Sequence, residues 1–142
     1  MTTKTTDLTE VLRGVELFAD LPKKAVSLLA SEMRTFTFAE GDDLIEQDQA
    51  GNRGRMFIVL EGTARADGAG TQVATYEPGD HFGEMSLLDD APRSATITAT
   101  SALTVAGMTP WNFRATMTEE PTVAVHIIEV LARRLRAANE QS

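Results

Sequence analysis

The spacing of apolar positions divides the chain into three stretches. From Asp7 to Glu32 the period is helical: Leu8, Val11, Leu12 and Val15 follow i, i+3, i+4, i+7. After Pro22, Val26, Leu28, Leu29 and Met33 continue that period in a second helix. At Arg34 the period changes to two. The stretch RTFTF at 34–38 alternates, and Glu40, Gly41 and Asp42 read as a turn. The run MFIVL at 56–60 is apolar throughout, which suits a strand buried on both faces. Residues 63–66 and 72–76 flank the loop DGAG at 67–70, a hairpin signal, and EPGD at 77–80 is a further turn. Residues 95–100 alternate again and 103–108 supply another strand. The last stretch returns to helix. Pro110 opens a short helix through Met117, and Pro121 opens a longer one with a stripe of Val123, Ile127, Leu131, Leu135 and Ala138.

About eight short strands between two helical ends predict an antiparallel barrel or sandwich, not parallel βαβ units. The expected organisation is one domain over 1–142: helices at about 7–33, strands at about 34–109 and helices at about 110–139. A chain of 142 residues with 42% hydrophobic and 24% charged positions has the size and composition of one globular domain. No apolar run nears the roughly 20 residues of a membrane span, and the polar start MTTKTTDLTE lacks a secretion signal. The expected location is the cytoplasm, with no membrane partner.

Charge and cysteine count narrow the chemistry. A formal charge of −8, from 21 acidic and 13 basic residues, argues against binding a polyanion such as nucleic acid unaided. The one basic cluster, Arg133, Arg134 and Arg136, suits the polar face and C-terminal dipole of a helix. The absence of cysteine excludes disulfides, thiolate metal sites and cysteine nucleophiles. A metal-binding barrel would need two closely spaced histidines ahead of a glutamate, whereas this chain has only His81 and His126, so no metal is expected. His81 reads as a strand-end residue and His126 as packed or solvated. Ser86 lacks an evident base and no Gly-x-Ser-x-Gly motif is present, so an enzyme is not expected. Trp111 and Phe113 read as core or lid residues, with base stacking an alternative for Trp111.

The most informative stretch is HFGEMSLLDDAPRSA at 81–95. One reading makes Glu84 and Arg93 a surface ion pair, worth about 0–1 kcal/mol, while Phe82, Met85, Leu87 and Leu88 cover a sheet end. The other starts from Gly83, which lets the backbone turn tightly into a one-turn helix whose first amides face outward. Arg93 would add bidentate donors suited to phosphate, and Glu84 an acceptor for a sugar hydroxyl.

In FGEMSLL at 82–88 followed by APRSAT at 91–96, the chain resembles the phosphate-binding cassette of the cyclic nucleotide-binding domain family, which includes protein kinase A regulatory subunits, cyclic nucleotide-gated channels and the bacterial catabolite activator. Leu17, Phe18 and Leu21, GDDLI at 41–45, MFIVLEG at 56–62 and PGD at 78–80 extend the likeness over nearly the whole chain. The resemblance implies an α+β, mainly β fold: an antiparallel jelly-roll β-barrel flanked by helices, with a short phosphate-binding helix. It implies a ligand site of Gly83, Glu84, Met85, Ser86, Arg93, Ser94 and Ala95. Glu84 would accept from the ribose 2′-hydroxyl, Arg93 would hold the cyclic phosphate, Ser94 and Ala95 would add amides, and Met85 and Leu87 would pack beneath. Ile58 and Leu60 would line the base pocket, and Leu131, Arg134 or Leu135 would form a lid. The implied ligand is cAMP, with cGMP the alternative, because Ser94 stands where a threonine often accompanies cGMP recognition. No cofactor is implied.

The expected function is a standalone, ligand-responsive regulator whose C-terminal helix moves on binding. The alternative is a nucleotide-independent protein–protein adaptor that keeps the barrel. A regulated protein partner is expected in the first case, and the C-terminal stripe either folds back as the lid or pairs with its copy in a homodimer. The sequence ends at Ser142 without a DNA-binding, kinase or channel segment, so a role in transcription would need one from another chain. Residues 47–55 form a longer connection than the family's usual one, with Asp48 at a position where glycine is commoner.

Overall fold

The change of period at Arg34 marks a change of architecture. The computed structural model describes residues 7–45, 55–68, 74–88 and 95–140. The chain divides into two compact units, a β unit of Met33–Pro110 and a helical unit of Met1–Glu32 with Trp111–Ser142.

The β unit contains β1 (Arg34–Phe38), β2 (Asp43–Ile45), β3 (Met56–Glu61), β4 (Ala64–Asp67), β5 (Ala74–Tyr76), β6 (His81–Phe82), β7 (Thr96–Ala99) and β8 (Leu103–Met108). They form two four-stranded sheets, β1-β8-β3-β6 and β2-β7-β4-β5, in which every neighbouring pair is antiparallel. This distribution of strands between two sheets is the jelly roll. The two sheets share one apolar interior. Phe57, Val59, Phe82, Leu103 and Val105 from the first meet Leu44, Ala64, Ala66, Ile97 and Ala99 from the second. The first sheet supplies mostly large side chains to this interior and the second mostly alanines. β3 is buried from Met56 to Val59, as its unbroken apolar run requires, and β7 alternates half-buried threonines with buried Ile97 and Ala99.

One row of rings ties these layers together. Phe36 meets Phe57 edge-on at 6.2 Å, Phe57 meets Phe82 at 5.7 Å, and Phe82 meets Tyr76 at 4.8 Å. Such pairs contribute about 0.5–1.5 kcal/mol each beyond their burial. The row ends beside the turn that carries Glu84.

The helical unit contains α1 (Leu8–Arg13), the 3₁₀ turn η1 (Glu16–Phe18), α2 (Lys23–Glu32), α3 (Pro110–Glu119, of which Pro110 belongs to the β unit) and α4 (Pro121–Glu140). Asp7 caps α1 by accepting from the Thr9 amide at 3.0 Å. The first helix is shorter than its apolar spacing suggests: it stops at Arg13, and Arg13 Nη1 donates to the carbonyls of Ala19 at 3.0 Å and Leu21 at 2.6 Å, fixing the chain beyond η1. Phe18 and Phe113 pack edge-on at 5.9 Å. Arg134 Nε donates to Glu16 at 2.7 Å, so this member of the basic cluster serves a structural pair.

Two expectations need correcting. Trp111 is not a core residue but 69% exposed. The buried face of α4 is Val123, Ile127 and Val130 rather than the stripe through Leu135, which is 64% exposed. The long connection expected at 47–55 lies, Arg55 apart, outside the described residues.

Candidate functional site

The site is built at the end of β6. The preceding turn is closed by the Asp80 carboxylate, which accepts from the Glu77 amide at 2.8 Å, and by the Asp80 amide donating to the Glu77 carbonyl at 2.9 Å. Reciprocal bonds of 2.8 Å between Gly79, Asp80 and Val59 fasten this turn to β3. His81 and Phe82 then pair with Ile58 and Phe57. Phe82 is buried, which anchors the strand end in the interior.

Gly83 follows with φ of +84°, a left-handed conformation that costs an L side chain about 1–2 kcal/mol. That reversal starts the 3₁₀ turn η2 (Glu84–Leu87), in which the Ser86 amide donates to the Gly83 carbonyl at 3.1 Å. Leu87, buried at 1% exposure, pins the far end of η2. The tight turn and the short helix expected after Gly83 are therefore both present.

Glu84 emerges at the start of η2 with its side chain 20% exposed, and His81 Nδ1 lies 3.2 Å from its Oε2. A carboxylate has no proton to give, so the imidazole donates from Nδ1. Tyr76 lies within electrostatic reach of the same carboxylate. Burial, and then the negative charges of Glu84 and Asp80, raise its pKa above the ordinary 10.0. The polar environment of Glu84 thus includes an imidazole donor and a neutral phenol. Neither His81 nor Tyr76 was singled out as a site residue from the sequence. The available signal for His81 was its position three residues before Glu84, with Phe82 and Gly83 between them.

The other named positions divide as follows. Ala95 is half-buried at the start of the segment leading into β7, and Ser86 is half-buried within η2. Ile58 is buried with 0% exposure, and Leu60 is half-buried where the β3–β8 register shifts. In the helical unit Leu131 and Arg134 are half-buried and Leu135 is exposed. Arg93, Ser94 and the Met85 side chain lie outside the described residues. Among the described residues no cluster of three or more metal-binding side chains occurs, and no helix is long and apolar enough to cross a membrane.

The cyclic nucleotide-binding domain model matches residues 35–120. The chain belongs to the cyclic nucleotide-binding domain family. Its match to a cAMP-dependent protein kinase regulatory subunit of Hypocrea atroviridis is 40% identical over 96 residues, covering 67% of this chain and 20% of that protein. A CRP-like cAMP-activated global transcriptional regulator of Mycobacterium tuberculosis is 25% identical over 135 residues, covering 92% of this chain. The chain spans 59% of that regulator's length. The crystal structure of the N-terminal domain of a transcriptional regulator from Streptomyces coelicolor A3(2) superposes with a TM-score of 0.82 at 30% identity, covering 92% of this chain and 94% of that one.

Proposed function

We propose that this chain binds cAMP in the turn from Gly83 to Ala95 and acts as a cytoplasmic regulatory domain. The observation that carries the reading is the left-handed Gly83, which delivers a partly buried and hydrogen-bonded Glu84 to the start of η2. In this reading Glu84 accepts from the ribose 2′-hydroxyl, and Arg93, with the amides of Ser94 and Ala95, takes the cyclic phosphate. Leu87 supports the turn, beside Met85 and Ser86. Ile58 and Leu60 border the base, and occupancy moves α4 so that Leu131, Arg134 or Leu135 covers it. The family match extends from the β unit into α3, which supports the two units working as one domain.

The output runs through α4, either to a regulated protein or to a second copy of the chain. Val125, Ile128 and Leu135 are all more than half exposed and, with exposed Ala132, recur at steps of three and four residues, the spacing of a two-helix seam. By linkage, a partner that prefers one position of α4 alters nucleotide affinity by the same factor that nucleotide alters partner affinity.

Calorimetric titration of cAMP and cGMP into the purified chain tests the reading. Saturable binding with cAMP tighter than cGMP is expected. The preference should stay within roughly tenfold, since one hydroxyl contact contributes about 0.5–1.5 kcal/mol. No heat and no competition with a fluorescent analogue would leave the adaptor reading. Tighter cGMP binding would overturn the base choice alone.

A further inference from the structure

The pair His81–Glu84 carries an inference beyond the roles set out above. Both side chains are mostly buried, at 25% and 20% exposure, and the Nδ1–Oε2 bond spans the reversal at Gly83. His81 is held on its own side by ladder pairing of β6 with Ile58 of β3, and the ring of Tyr76 braces the neighbouring Phe82 at 4.8 Å. The backbone of His81 thus belongs to the sheet, whereas Glu84 sits on a four-residue 3₁₀ turn. A hydrogen bond from a strand residue to this carboxylate limits the rotamers the carboxylate can adopt.

We propose that His81 is a positioning residue of the nucleotide site, orienting the Glu84 carboxylate toward the ribose 2′-hydroxyl before the nucleotide arrives. The inference rests on the proposal that Glu84 reads the ribose. His81 need not touch the nucleotide. It lowers the ordering that Glu84 must undergo on binding, and removing its donor should therefore weaken only those ligands that use the Glu84 carboxylate.

The test uses the full chain, cAMP and 2′-deoxy-cAMP. His81→Phe keeps an aromatic ring without the donor, and His81→Asn returns an amide nitrogen near the place of Nδ1. His81→Phe should weaken cAMP about three- to tenfold, as expected for one lost orienting hydrogen bond, and 2′-deoxy-cAMP by less than about twofold. His81→Asn should restore cAMP affinity to within about twofold of wild type, and in a Glu84→Gln background His81→Phe should add less than about twofold. Where His81→Phe does not fold, as judged by circular dichroism, His81→Leu takes its place.

Equal weakening of both ligands, or an undiminished effect in the Glu84→Gln background, would overturn the positioning role and leave the ribose reading intact. A wild-type chain that binds cAMP and 2′-deoxy-cAMP equally would overturn the ribose reading itself, and this proposal with it.

Discussion

Gly62 ends β3 and passes the chain from the first sheet to the second, and residues 100–102 make the return crossing from β7 to β8. These two crossings are fastened together. The Thr100 amide donates to the Thr63 carbonyl at 3.0 Å, and the Thr63 amide donates to Ser101 Oγ at 3.0 Å. Gly62 has φ of +87°, and a Cβ placed on it would lie 2.1 Å from the Ala102 carbonyl oxygen. Backbone on both sides of that contact prevents relief by a side-chain rotation. Gly62→Ala should therefore incur about 1–2 kcal/mol for the left-handed backbone, plus about 0.5–1.5 kcal/mol for each of the two hydrogen bonds that separate. The sum, about 2–5 kcal/mol, is a large fraction of the roughly 5–15 kcal/mol that holds such a domain folded. Urea unfolding followed by circular dichroism should show the midpoint falling by about 1–2.5 M for a slope of roughly 2 kcal/mol/M. Gly79 is the control: its φ is +95°, yet nothing lies within 4 Å of its Cβ position, so Gly79→Ala should incur only the backbone cost. If Gly62→Ala is no more destabilising than Gly79→Ala, the crossings are not packed as described.

Arg93→Ala should weaken cAMP about 30-fold to more than 1,000-fold, since removing one partner of a buried charge pair costs about 2–5 kcal/mol; unchanged affinity by calorimetry in a folded variant would remove Arg93 from the site. Tyr76 is the chain's one tyrosine, so tyrosinate absorbance reads it alone. Its raised pKa means the folded state favours the neutral phenol: this contribution to stability is complete below pH 10.0 and is lost as pH rises through the folded-state pKa. Its titration midpoint should be higher folded than in urea. Glu84→Gln should lower that midpoint without abolishing the difference, because burial is the larger cause. Identical midpoints in wild type and Glu84→Gln would mean that the carboxylate does not act on the phenol. Ile128→Glu should abolish any self-association seen by sedimentation, while a wild type monomeric with and without cAMP would remove the homodimer.

The strands were legible because their period is short and their punctuation strong. Residues 103–108 were delimited without error because alternation and apolar run end together at Met108, and the hairpin of β4 and β5 followed from its glycine-rich loop. Glu84 was picked out as a candidate through the motif that contains it. His81 was not, because its bond to Glu84 exists only once Gly83 takes a positive φ between a strand and a 3₁₀ turn. Spacing of three residues signals contact within a helix, whereas here it crosses from one element into another. Tyr76 was missed for a related reason. Five residues separate it from Phe82, and only the turn at 77–80 folds its ring onto that phenylalanine.

The last helix failed in a more instructive way. A stripe built mainly from steps of four residues, such as Val123, Ile127, Leu131 and Leu135, does not stay on one face: each step advances about 40° around the axis, so three steps turn through about 120°. The buried set, Val123, Ile127 and Val130, compensates by alternating four with three. Leu135 belongs instead with Val125, Ile128 and Ala132, which alternate three, four and three on another side. The sequence stripe thus merged two faces of α4 into one. A surface helix of a globular protein ordinarily carries one apolar face and turns polar residues outward. Here Ile128 and Leu135 are each 64% exposed, on a helix that already buries its other apolar face. Solvent gives such a face no advantage, since apolar area left in water forgoes about 25 cal/mol per Å². The face therefore gains stability from any state that covers it, whether α4 closes over a nucleotide or meets another helix. On the proposed reading, a domain that uses both must make them compete or couple, and the sign of that coupling sets the sign of its response to nucleotide.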